Sequence, residues 1–181
     1  MPNWCDNRVT ISHTDKEKLK ALVQAAVDGR MFNHVVPMPE ELNTSFMQDQ
    51  SMDEVKATRQ KNKETYGYED WYDFCVAEWG TKWDAAELHI NFITDNEVGL
   101  SFDTAWSPPL GVYDALERQG FNVVAYFNEE GMGFCGKYES GEQFNFDHEE
   151  LESSQDPIAQ DVDAEYLIVE RQKHFAEENS K

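Results

Sequence analysis

The residues able to do chemistry in this chain are few and dispersed. Three cysteines, Cys5, Cys75 and Cys135, form no close pair, so they match neither a disulfide framework nor a zinc site built from paired ligands. Cys75 falls on the apolar stripe of a helix, and no histidine is placed by a motif to activate it. Asp161-x-Asp163-x-Glu165 begins like a calcium loop but lacks the turn glycine and the distal glutamate. No glycine-rich phosphate loop and no Gly-x-Ser-x-Gly elbow occurs. The expectation is a protein without catalytic residues, metal or cofactor.

Two groupings remain. Tryptophans recur beside polar residues, and Trp79, Lys82, Trp83, Asp103 and Trp106 could line the pocket of a small-ligand binder or an enzyme, in which Lys82 and Asp103 supply the polar groups. Large rings next to turns are more often packing at element ends, and Lys82 between tryptophans also suits a structural cation–π contact. The second grouping is charge. The chain of 181 residues carries 36 acids against 15 bases, a formal net of −21. Between Lys137 and Arg171 there is no Lys or Arg, while eleven carboxylates occur. Direct binding to nucleic acid is disfavoured, because affinity for it comes largely from Lys and Arg neutralising phosphates. A one-sign field of this kind instead steers a cationic partner. Glu149, Glu150, Glu152, Asp156, Asp161, Asp163 and Glu165 are therefore the candidate partner contacts, placed where they could imitate the phosphates of a nucleic acid. The plain alternative is a solubilising extension.

The elements that would position these residues follow from periodicity. Arg8 to Ser12 alternates like a half-exposed strand, and a helix follows with Thr14 and Glu17 as a capping box and Gly29 as terminator. His34 to Pro39 reads as stiff linker. Ser51 and Glu54 open a polar helix, and a second helix runs from Asp70 to Gly80 with Trp71, Phe74, Cys75 and Trp79 on one side. Residues 86–94 and 98–104 form a hairpin in which Leu88, Ile90 and Phe92 alternate with His89 and Asn91. Ser107 and Pro108 start a helix that ends at Gly120. Strands at 121–128, 134–138 and 142–146 complete the pattern. Phe102, Phe127 and Phe134 invite comparison with base-stacking sheets, against which the scarcity of flanking bases argues. The fold class is α+β, a ferredoxin-like split βαβ with an antiparallel sheet and helices on one face. Residues 1–146 form that domain with a helical insertion at about 40–80, and 147–181 form an acidic C-terminal extension, partly helical. There Asp156 and Pro157 start a helix with Ile158, Val162, Tyr166 and Val169 on one stripe, although residues 166–169 also suit a strand.

Pro2-Asn3-Trp4-Cys5, Pro37-Met38-Pro39, Trp79-Gly80-Thr81-Lys82-Trp83, the run from Phe102 to Pro109 and the turn from Gly131 to Gly136 together resemble the YubB-like family of phage and plasmid proteins with a ferredoxin-like domain. The resemblance spans roughly residues 1–140 and leaves the acidic segment outside. It implies a mobile-element setting and an accessory role directed at a bacterial host, including inhibition of a defence system. With the charge, it points to a basic, nucleic-acid-binding host protein as partner. Unpaired cysteines, no leader pattern and no run near the roughly 20 apolar residues of a membrane helix point to the cytoplasm and away from a membrane.

Overall fold

The computed structural model describes residues 3–43 and 51–179. Pro2, and the part of the expected insertion at 44–50, lie outside the described residues. The chain folds around one six-stranded antiparallel sheet in the order β2-β3-β1-β4-β5-β6. β1 (Trp4–Ser12) lies at its centre, between β3 (Glu97–Ala105) and β4 (Asn122–Glu129). β2 (Ala86–Ile93) is the edge beyond β3, so β1 and β2 run parallel with β3 between them, the split βαβ arrangement. β5 (Phe134–Glu139) and β6 (Glu142–Asp147) extend the sheet past β4.

Alternation along the central strands decides which side chains meet. Cys5, Asn7, Val9 and Ile11 of β1, with Val123, Ala125 and Phe127 of β4, all point to one buried face. Helices α1 (Lys16–Val27), α2 (Met31–Val35) and α5 (Leu110–Arg118) cover that face with Leu19, Leu22, Phe32, Val112 and Leu116. Asn7 is fully buried in this core, and its polar atoms are satisfied: the amide donates to Cys5 O and Thr104 Oγ1 at 2.8 Å, and Tyr113 OH donates to Asn7 Oδ1 at 3.0 Å.

The segment between α1 and β2 holds α3 (Met52–Tyr66), with the expected Ser51–Glu54 capping box, and α4 (Trp71–Phe74), which continues as a π turn to Trp79. α3 buries only Asn62, whereas α4 and its π turn send Phe74, Cys75 and Trp79 into the core. Three local expectations are corrected. The N-cap of α1 is Asp15, not Thr14, because the Asp15 carboxylate reaches the amides of Glu17 and Lys18. Ser107 does not cap α5; its hydroxyl donates to Gly80 O at 2.6 Å, and α5 begins after Pro109 without a side-chain cap. His34 and Val35 belong to α2 and not to a linker.

The other face of the sheet is half covered, by the acidic C-terminal segment. α6 (His148–Leu151), α7 (Pro157–Tyr166) and α8 (Ile168–Asn179) bury Leu151, Ala159, Val162, Tyr166 and Ile168 against Cys135, Tyr126 and Phe146. Residues 166–169 are helical apart from Leu167, whose left-handed conformation (φ 54°) ends α7 and turns the chain into α8. Full burial of side chains such as Val162 is worth on the order of 2 kcal/mol each, so these helices are docked on the sheet.

Candidate functional site

The tryptophan-bearing segments meet at one end of the sheet, where β1 begins, β3 ends and the β4–β5 turn projects. Trp106 follows β3 with a left-handed backbone (φ 71°), a conformation bulky residues avoid, and its amide donates to Asn3 O at 2.9 Å. The Gly80–Trp83 segment is fastened beside it: Thr81 Oγ1 donates to Ala105 O at 3.0 Å, and Gly80 (φ 84°) packs against the start of α5. Gly111 of α5 lies so close to the π turn that a Cβ there would overlap the Glu78 carbonyl. Just beyond, the Asp84 carboxylate accepts from the amides of Phe32 and Asn33 at 3.0 Å, fixing the segment to α2.

These restraints present rings to solvent. Trp4, Trp83 and Trp106 are 41%, 39% and 42% exposed. Trp4 and Trp83 pack as a tilted pair at 6.2 Å between centroids, and the Lys82 ammonium sits 4.2 Å from the Trp83 ring and 5.5 Å from that of Trp106. Trp79, grouped with them on sequence spacing, is corrected: it is 5% exposed, its indole donates to Val36 O, and it belongs to the core. Lys82, Trp83 and Trp106 thus form a surface cluster, while Asp103 faces elsewhere.

Asp103 lies in a cavity of about 310 Å³ on the half-covered face, which Trp4 also walls. Asp103 stands directly opposite Asp6 in the β1–β3 ladder. Desolvation, then the charges of Asp6 and Glu87, raise the Asp103 carboxyl above its ordinary value. Asp6 Oδ1 is buried with no hydrogen bond, its nearest cation being Arg8 Nε at 3.5 Å. Glu129, 1% exposed, spends its carboxylate on the amides of Gly131 and Met132 at 2.7 Å and so shapes the turn that closes the cavity. Arg8 is held by Glu165 at 2.9 Å and lies over Tyr166; Arg171 from α8 bonds Glu130 at 2.7 Å.

The acidic candidates divide. Asp161 accepts from Tyr126 OH at 2.6 Å and Lys137 at 3.0 Å, Glu165 holds Arg8, and Glu152 pairs with Lys173 at 2.9 Å. Asp156 caps α7, and Asp163 accepts from the Val169 amide. Glu149 and Glu150 are exposed, and their carboxylates have no partner among the described residues, Glu150 accepting only at its carbonyl from Ser153. Asp6, Arg8, Glu130 and Arg171 escape a sequence reading, because only strand register and the path of α8 bring them together.

Other chemistries find little here. Burial pushes the Cys75 and Cys135 thiols up to about 12, and Cys5 higher still, the reverse of an activated nucleophile. No group of three metal-ligating side chains converges among the described residues. Phe102 and Phe127 are buried, not arrayed for stacking on bases. No helix among the described residues is long and apolar enough to cross a membrane.

Residues 73–174 match the family model described as the ferredoxin-like domain in Api92-like protein. The chain belongs to this family. The Api92-like match runs from α4 into α8 and takes in most of the acidic segment. Among solved structures, the chain is similar to a protein api92 from Yersinia pseudotuberculosis, with 10% identity, a TM-score of 0.45, and coverage of 81% of this chain and 98% of that one. No curated protein matches the chain.

Proposed function

We propose that this Api92-like protein acts by binding, not catalysis, and that it docks on a basic protein through the tryptophan end of its sheet. The observation that carries this reading is the placement of three exposed tryptophans at one end of the sheet, where Trp4 walls a cavity in which Asp103, without a polar partner among the described residues, stands opposite Asp6. Exposed aromatic rings on a rigid frame are the usual anchors of protein interfaces, and opposite charge orients the encounter. Among the described residues nine Lys and Arg side chains are tied into ion pairs with Asp and Glu, and the net charge of −21 leaves the outward field anionic. Glu149 and Glu150 add to that field, and the carboxylates engaged internally serve first to hold α7 and α8.

The partner favoured by this charge is a nucleic-acid-binding protein whose basic groove accepts an anionic, nucleic-acid-mimicking surface. The resemblance to phage and plasmid proteins supports a mobile-element accessory protein that inhibits or modulates such a protein, a defence component among them, in the cytoplasm of a bacterial host. Affinity purification from bacterial lysate, run in parallel with the wild type and a Trp4→Ala/Trp83→Ala variant, tests the reading. A basic protein should be retained by the wild type, released as salt rises, and absent from the variant. Identical retained proteins for both would contradict it.

A further inference from the structure

A basic partner must place something in the cavity beside Trp4, and the lining specifies what. Four carboxylates face two guanidiniums there. Glu129 is committed to the backbone of its turn, Glu130 to Arg171, and Arg8 chiefly to Glu165. Asp103 remains without a polar partner among the described residues, directly opposite Asp6, whose Oδ1 makes no hydrogen bond but has Arg8 Nε at 3.5 Å. Like charges in that position are destabilising, and one guanidinium shared between Glu165 and Asp6 leaves the pair anionic, so the pair suits a further donor that is also a cation.

The choice among cations follows from geometry. A metal ion is poorly served, since no three ligating side chains converge among the described residues. The chain itself seats guanidiniums on the same wall: Arg8 lies 4.4 Å from the Tyr166 ring centre, and Arg171 donates both to Glu130 Oε1 at 2.7 Å and to Tyr166 O at 2.9 Å. A planar fork with several donors bridges two carboxylates and stacks on an indole, which a compact ammonium does less well. At about 310 Å³ the cavity is at the small end of ligand sites, fit for one side chain.

We propose that this cavity receives an arginine side chain of the partner, with its guanidinium donating to Asp6 and Asp103 and its plane against Trp4. The inference rests on docking to a basic protein and names the anchor of that docking.

It is tested without the partner, by titrating the full chain with N-acetyl-arginine amide and following amide and indole proton resonances. Saturable shifts at the Trp4 indole and at Asp6 and Asp103 are expected, several-fold weaker for the lysine analogue and absent for the neutral citrulline analogue. Asp6→Asn and Asp103→Asn, both close in shape to the native residues, should each weaken binding about tenfold while the spectra remain those of the folded protein. Equal shifts with citrulline, no saturable shift, or affinity unchanged in both variants would overturn the inference. Free arginine binding a hundredfold tighter than the capped amide would also overturn it, marking a small-molecule site. Capture of a basic partner that survives in both Asp variants, with no binding of the arginine amide, would remove the arginine anchor and leave docking intact.

Discussion

Asp6 and Asp103 oppose each other as direct partners in the β1–β3 ladder, two carboxylates where sheet stability alone would place opposite charges or apolar groups. Asp103 accepts no hydrogen bond among the described residues, and burial with the neighbouring charges holds its carboxyl above the ordinary range. In the unfolded chain it titrates near the usual value of about 4. Between that value and the raised folded one, the folded protein binds more protons than the unfolded chain. The stabilising contribution is therefore complete at low pH and is lost as pH rises through the folded value. Asp103→Asn should stabilise the protein at pH 7 by on the order of 0.5 kcal/mol, with the gain vanishing near pH 4. Urea midpoints at the two pH values check this. A stability gain joined to a binding loss would mark the pair as kept for function.

The placement of the tryptophan surface depends on the close approach of α5 to the π turn at Gly111. Gly111→Ala would force a methyl group into the Glu78 carbonyl, with backbone on both sides unable to yield cheaply. A loss of about 2–3 kcal/mol is expected, read as a lower urea midpoint, with a change in near-ultraviolet circular dichroism from the displaced Trp79 and Trp83.

At the α7–α8 junction, Leu167 holds a left-handed conformation (φ 54°) and is half exposed, so its side chain returns little packing for its strain. Leu167→Gly should stabilise the fold by about 0.5 kcal/mol, the relief of strain exceeding the added freedom of the unfolded chain. A lower melting temperature in the variant would contradict this.

Much of this fold was legible in the residues themselves. Alternating runs marked β1 and β2, and the Ser51–Glu54 box marked the start of α3. Failures came where tertiary geometry overrode local pattern. Ser107 looked like a cap but was drawn to Gly80 O by the fold of the preceding segment. Trp79 fits its helical stripe with Phe74 and Cys75, which is the core side, and not the grouping with the exposed tryptophans that its neighbours in sequence suggested. Asp6 and Asp103 are 97 residues apart, and only the strand register makes them neighbours. Composition marked residues 147–181 as an anionic segment, but the apolar stripe Ile158, Val162, Tyr166 and Val169 was the signal that it docks.

Docking of that segment has its own consequence. Tyr166 OH donates to the carbonyls of Asp6 and Tyr126 at 3.2 and 3.1 Å, tying α7 to β1 and β4. Tyr166→Phe should cost about 1 kcal/mol, and the Val162 amide should be protected from hydrogen exchange to nearly the same degree as the central strands. Exchange at Val162 as fast as in an unstructured peptide would show the segment to be a loose extension.

The most direct measurement of the central claim is the affinity for a captured basic partner across a salt series, comparing the wild type, Trp4→Ala/Asp103→Asn and Glu149→Gln/Glu150→Gln. Docking at the tryptophan end predicts that Trp4→Ala/Asp103→Asn weakens binding at least a hundredfold, while Glu149→Gln/Glu150→Gln changes mainly the salt dependence and the association rate. The opposite ranking, with full affinity in Trp4→Ala/Asp103→Asn and loss in Glu149→Gln/Glu150→Gln, would place the interface on the acidic helices and contradict the account.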